Sequence, residues 1–129
     1  MQENGTTLTL LYVEDDPITR EDVAESLREA GFKVLTAADG TAAMQLLDDS
    51  KVELCGLITD IDLGDNCDGW QLARRARALV DGLPVVYVSG ASANDWTAQG
   101  VPHSVMVPKP FATQQIVVAI SNLLNRSDV

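Results

Sequence analysis

The chain is short of the residues that mark many specialised proteins. It has two cysteines, one histidine, two each of Trp, Tyr and Phe, and nine basic residues against nineteen acidic ones in 129 positions. Cys55 and Cys67 stand 12 positions apart with neither CxxC spacing nor a clustered histidine, so neither a zinc site nor a redox pair is suggested. Cys55 is expected to pack as a small hydrophobe in the core. The scarcity of cations leaves a formal charge of -10, which argues against a nucleic-acid or anionic-membrane surface and favours cations or basic partner patches. No apolar run approaches the roughly 20 residues of a bilayer span. The opening residues, MQENGTTLT, lack the basic and apolar segments of a signal peptide, so a cytoplasmic protein is expected.

What is present is a series of short apolar runs, each stopped by a polar or reactive group. With 46% hydrophobic residues, the chain is expected to be a single domain over residues 1–129, with an ordered core at about 7–126. Residues 57–62 (LITDID) form an apolar, β-branched run too short for a helix, which reads as a buried strand that leaves the sheet at Asp60. Residues 8–13 (LTLLYV) read likewise and run into Glu14, Asp15, Asp16 and Pro17. Pro at a first helical position and Asp as the cap before it predict that this strand turns directly into a helix, which Gly31 ends. Further strands are predicted at 32–37, at PVVYV ending in Ser89-Gly90, and at 104–107 before Pro108-Lys109-Pro110. Helices are predicted around Ala42–Leu47, from Gly69 to about Val80, weakly at 92–99, and from about Ile116 to the C-terminus.

Five strands alternating with five helices predict a doubly wound α/β fold: a parallel sheet covered on both faces by right-handed crossovers. In such sheets ligands bind at the carboxyl ends of the strands. Four ends carry chemistry here: Glu14/Asp15/Asp16, Asp60/Asp62, Ser89 and Lys109. Carboxylates gathered and partly buried there repel one another unless a cation binds. Mg²⁺ suits them, since it takes one or two carboxylates together with waters and phosphate oxygens. A carboxylate beside such a metal can attack a phosphoryl group, with Lys109 and Ser89 placed to hold the phosphoryl oxygens.

The runs LLYVEDDP, the strand ending in Asp60, Asp68-Gly69, VYVSG and PKPF resemble, in order and spacing, the receiver domains of bacterial two-component response regulators. The resemblance covers nearly the whole chain. It implies a flavodoxin-like strand order of 2-1-3-4-5 and a phosphoacceptor at Asp60. It also implies Asp15 as direct Mg²⁺ ligand, Glu14 acting through water, and the backbone carbonyl of Asp62 as a further ligand. Ser89 then hydrogen-bonds the phosphoryl group, Lys109 pairs with it, and the Lys109-Pro110 bond is typically cis. The implied donor is a histidine kinase or histidine phosphotransfer protein. The implied output is an unknown downstream protein met by the face of the fourth and fifth helices and fifth strand, with no output domain in the chain itself. On this resemblance the chain phosphorylates and dephosphorylates only itself and is not an enzyme on a separate substrate.

The sequence also departs from the family pattern. Met106 occupies the switch position, three residues before Lys109, where Tyr or Phe is usual. Gly64 stands where Pro is common, and Asp62, Asp65 and Asp68 make the site's mouth more negative. Asp16 reads as a helix cap, His103 as exposed turn, and Arg74, Arg75 and Arg77 as the solvated face of the third helix. Trp70 and Trp96 read as packing at element ends. Two other functional classes compete: a receiver-like adaptor that is never phosphorylated, supported by Met106, and an aspartate-nucleophile phosphohydrolase, suggested by Asp60-Ile61-Asp62 and opposed by Gly64.

Overall fold

The computed structural model describes residues 8–63, 67–90 and 96–126. Strands β1 (Thr9–Val13), β2 (Lys33–Ala37), β3 (Gly56–Asp60), β4 (Val85–Ser89) and β5 (Ser104–Pro108) pair in parallel in the order β2-β1-β3-β4-β5. The register aligns Val13 with Ala37 and Thr59, Asp60 with Val88, and Ser89 with Pro108, so the chemically active strand ends share one edge of the sheet. Every residue of β3 and β4 is buried, whereas the outer strands β2 and β5 are partly exposed. Strands covered on both faces need apolar side chains at successive positions, which explains the unbroken runs.

Alternation along each strand feeds two cores. Leu10 and Tyr12 of β1, Ile58 of β3 and Val86 and Val88 of β4 face the layer of α1 (Pro17–Glu29) and α5 (Thr113–Arg126). Leu11, Val13, Leu57, Val85 and Tyr87 face the opposite layer, α2 (Gly40–Asp48) and α3 (Gly69–Leu79). Each fully buried aliphatic or aromatic side chain contributes about 1.5–3 kcal/mol by leaving water.

Local chemistry sets the helix ends. Asp16 caps α1 by accepting the Thr19 N–H at 2.9 Å, with Pro17 at the first turn. At the other end Gly31 adopts φ +103°, and the Gly31 and Phe32 N–H groups close on the Arg28 and Leu27 carbonyls. That left-handed turn is one glycine adopts without strain. Asp68 and Gln71 form a reciprocal capping box at the start of α3.

Five helices are expected, and among the described residues four run for two turns or more, while α4 covers the single turn Trp96–Gln99. The earlier part of the expected 92–99 helix lies outside the described residues, as do Gly64 and Asp65. Cys55 is half-buried rather than fully in the core, its thiol donating to the Thr9 carbonyl at 3.1 Å.

Candidate functional site

The site is assembled where β1, β3 and β5 run out. Glu14 extends β1 by one step, its N–H donating to the Ala37 carbonyl at 3.1 Å. Its side chain lies two residues from Tyr12 and so on the same face. Glu14 is 1% exposed; its carboxylate accepts the Asp16 N–H at 3.2 Å and faces the Tyr12 hydroxyl at 3.5 Å. Burial, reinforced by the neighbouring Asp60 and Asp15 and opposed by the Asp16 N–H and Lys109, pushes its pKa up to about 7. Burial beside Glu14 likewise pushes the Tyr12 phenol well above its ordinary range. Tyr12 is a site residue not identified from the sequence, although a hydroxyl two places before a strand-end acid signals a shared face.

Asp60, the last residue of β3, is 3% exposed. One of its oxygens accepts the Asp62 N–H at 3.2 Å; the other receives the Lys109 ammonium at 2.8 Å. The same ammonium stands 3.7 Å from Glu14. Burial lowers the Lys109 pKa, but the hydrogen bond and charge of Asp60, with Glu14 and Asp15 behind them, outweigh it and hold the ammonium above its ordinary value. Lys109 is fixed from its backbone as well, its N–H donating to the Ser89 carbonyl at 3.0 Å and its bond to Pro110 being cis. Ser89 is fully buried at the end of β4, one residue beyond the partner of Asp60. Asp16 caps α1, as expected, while Asp62 is exposed at the rim.

Oxygens of Glu14, Asp15 and Asp60 lie within 4.8 Å of one another. Three carboxylates set against one ammonium leave surplus negative charge in a partly buried space. An all-oxygen donor set with that surplus fits a hard divalent cation such as Mg²⁺. A cleft of about 640 Å³ beside it, lined among others by Glu14, Asp16, Asp22, Lys109 and Phe111, opens the site between α1 and the loop after β5.

Gly69, the first residue of α3, packs against the phosphoacceptor-candidate strand more closely than its place in the sequence reveals. A Cβ at this position would stand 2.5 Å from the Asp60 carbonyl oxygen and 2.8 Å from the Ile61 Cα. The helix start is therefore packed directly on the backbone that carries Asp60. Met106 is half-buried on β5 opposite Tyr87 of β4, among the residues against α3.

Among known proteins, a family model described as response regulator receiver domain matches residues 10–121. The fold is similar to a solved response regulator receiver protein from Sinorhizobium medicae, 38% identical, with a TM-score of 0.89 over 92% of this chain and 95% of that one. The sequence is similar to the probable transcriptional regulatory protein TcrX of Mycobacterium tuberculosis, 28% identical over 98% of this chain and 53% of that protein. It is also 28% identical to the sensor kinase CckA of Brucella abortus, over 93% of this chain and 13% of that protein. The chain thus spans about half of the first curated relative and a small part of the second.

Proposed function

Since the chain belongs to the response regulator receiver domain family, we propose that Asp60 accepts a phosphoryl group from a phosphohistidine on a histidine kinase or histidine phosphotransfer protein. The observation that carries this reading is the Asp60 carboxylate itself, buried yet ionically engaged between the Lys109 ammonium and the Glu14/Asp15 pair. An Asp60 oxygen attacks phosphorus, a P–O bond forms, and the P–N bond breaks with its electron pair leaving on the imidazole. Mg²⁺ would be held by Asp15, Asp60 and the Asp62 carbonyl, with Glu14 acting through water, and when bound it would neutralise charge on the transferring phosphoryl oxygens.

The chain's own residues do the rest. Lys109, released from its pairing with Asp60, follows the new negative charge onto the phosphoryl group. Ser89 supplies a hydroxyl from the adjacent strand end. The cleft between α1 and the β5–α5 loop admits the donor's histidine. Hydrolysis of the acyl phosphate returns Asp60, so the chain acts catalytically only on itself, and the phosphorylated form alters a surface read by a downstream protein.

Intact mass after incubation with acetyl phosphate, with and without Mg²⁺, tests this on the wild type and Asp60→Asn. One added phosphoryl group that requires both Mg²⁺ and Asp60 is expected. No adduct under any of these conditions would return the chain to the unphosphorylated adaptor reading.

A further inference from the structure

Arg74, Arg75 and Arg77 read from periodicity as a solvated helix face; Arg74 and Arg75 are exposed as expected, but Arg74 and Arg77 also bond across the molecule. Arg74 donates through Nη2 to the Gln99 side-chain oxygen at 2.5 Å and approaches the Gln99 carbonyl at 3.5 Å. Arg77 is half-buried and donates to the carbonyls of Leu83 and, at 3.2 Å, His103. Between these two contacts the Val101 N–H donates to the hydroxyl of Tyr87 at 3.1 Å. Tyr87 is fully buried, and its ring meets that of Trp70 with centroids 4.7 Å apart and planes at 55°. Residues 99–104 are thus fastened at three successive odd positions to α3 and β4. The same segment holds His103 at φ +59°, a left-handed conformation that L side chains avoid and that persists only where neighbours enforce it.

The fastening is mechanically continuous with the site. Gly69 packs on the backbone of Asp60 and donates its N–H to the Ile61 carbonyl at 3.0 Å. Trp70 follows it, and Arg74 and Arg77 lie one and two turns further along the same helix. Tyr87 precedes Ser89 by two residues and therefore shares its face of β4. Tyr87 also stands opposite Met106 in the sheet register, where cross-strand neighbours compete for the same space. The aromatic on this sheet face is thus carried by β4 and bonded to the chain leading into β5, while β5 itself carries a methionine.

We infer that residues 99–104 form a latch, held by Arg74, Tyr87 and Arg77, and that its release, driven from Asp60 through Gly69, Trp70 and α3, is how this chain reports phosphorylation. The inference rests on the phosphoacceptor reading of Asp60. In the unphosphorylated chain the latch is closed, the Val101 amide is protected and Trp70 is fixed against Tyr87. A phosphoryl group on Asp60 displaces the start of α3, and the three ties, anchored on that helix and on the strand beside it, loosen together. The strained turn at His103 favours the opened form once its tie to Arg77 is lost.

Amide hydrogen exchange at Val101, measured on the full chain before and after acetyl phosphate and Mg²⁺, tests the latch. Phosphorylation of the wild type, verified by mass, is expected to speed exchange at Val101 by about ten-fold or more. Tyr87→Phe, and separately the partly exposed pair Arg74→Ala with Arg77→Ala, are expected to exchange fast already without phosphate. Both should take up the phosphoryl group as the wild type does, with no further acceleration. A phosphorylated wild type whose Val101 amide stays protected overturns the latch. If the wild type gains no phosphoryl mass, the Asp60 reading fails instead. The fastening is then judged by the variants alone, and unchanged Val101 exchange in both overturns it.

Discussion

Replacing Gly69 with alanine adds one methyl group at the tightest point between α3 and the phosphoacceptor strand. The new carbon would lie 2.5 Å from the Asp60 carbonyl oxygen, 2.8 Å from the Ile61 Cα and 3.1 Å from the Asp60 carbonyl carbon. Unstrained carbon contacts fall at about 3.5–4.0 Å, so roughly 1 Å must be recovered. All three obstacles are backbone atoms, so no side-chain rotation supplies that space. Either α3 retreats, weakening the burial of Trp70 and Leu72, or the end of β3 shifts and carries Asp60 with it. Overpacking of this kind costs about 1–3 kcal/mol, against a gain of at most about 1 kcal/mol from the better helix former.

A net loss of about 1–2 kcal/mol is therefore expected in urea denaturation, with a fall in Tm of about 4–8 °C. Gly56→Ala is the control. Its added carbon meets only side-chain ends, Leu10 Cδ2 at 2.8 Å and Ile120 Cδ1 at 3.0 Å, which turn aside more cheaply. Because a 1 Å misplacement of a reacting group costs about 100-fold in rate, Gly69→Ala should also slow phosphorylation by acetyl phosphate far more than Gly56→Ala does. Stability within about 0.5 kcal/mol of wild type, together with an unchanged phosphorylation rate, would refute the contact as a determinant of Asp60 placement.

The titration of Glu14 gives a prediction about pH. Its pKa rises from an ordinary 4.5 to about 7 in the fold, so between those values the folded chain holds a proton that the unfolded chain has released, and stability must fall as pH rises through that window. Urea midpoints in EDTA should accordingly be higher at pH 5 than at pH 8, and Glu14→Gln should flatten the difference. Mg²⁺ at 100 times its Kd should restore about 2.7 kcal/mol at pH 8, and no effect of Mg²⁺ on the midpoint would count against the acidic cluster as its site. Lys109→Met removes the ammonium 2.8 Å from Asp60 and 3.7 Å from Glu14. The metal-free variant should be less stable at pH 8 because two buried carboxylates lose their counter-charge. It should nevertheless bind Mg²⁺ several-fold more tightly in a Trp fluorescence titration, because a competing positive charge has gone.

How much of this was legible beforehand differs from element to element. The strand ends were readable because a run buried on both faces has to be apolar until it leaves the sheet, so the stops at Glu14, Asp60, Ser89 and Lys109 mark that edge directly. Asp16 as a cap and Gly31 as a helix end were readable for a similarly local reason, since both act on the backbone within a turn of themselves. The layered α/β class follows from alternation and handedness, the strand order 2-1-3-4-5 is what the family resemblance implies, and the structure agrees with both.

Other features depended on which residues stand opposite one another. Periodicity identifies the outward face of α3, on which Arg74 is indeed exposed, but not what that face meets: the Gln99 side chain for Arg74 and the His103 carbonyl for Arg77, 25 and 26 residues away. The crowding of Gly69 against Asp60 likewise needs two backbones brought together by the β3–α3 connection. The layered α/β architecture and the edge at which the acids gather can be read from the chain alone, because burial and backbone geometry act over a few residues. That Lys109 closes on Asp60, and that Tyr87 holds the Val101 amide, emerges from three-dimensional packing, because such contacts depend on strand register and helix docking between segments distant in the chain.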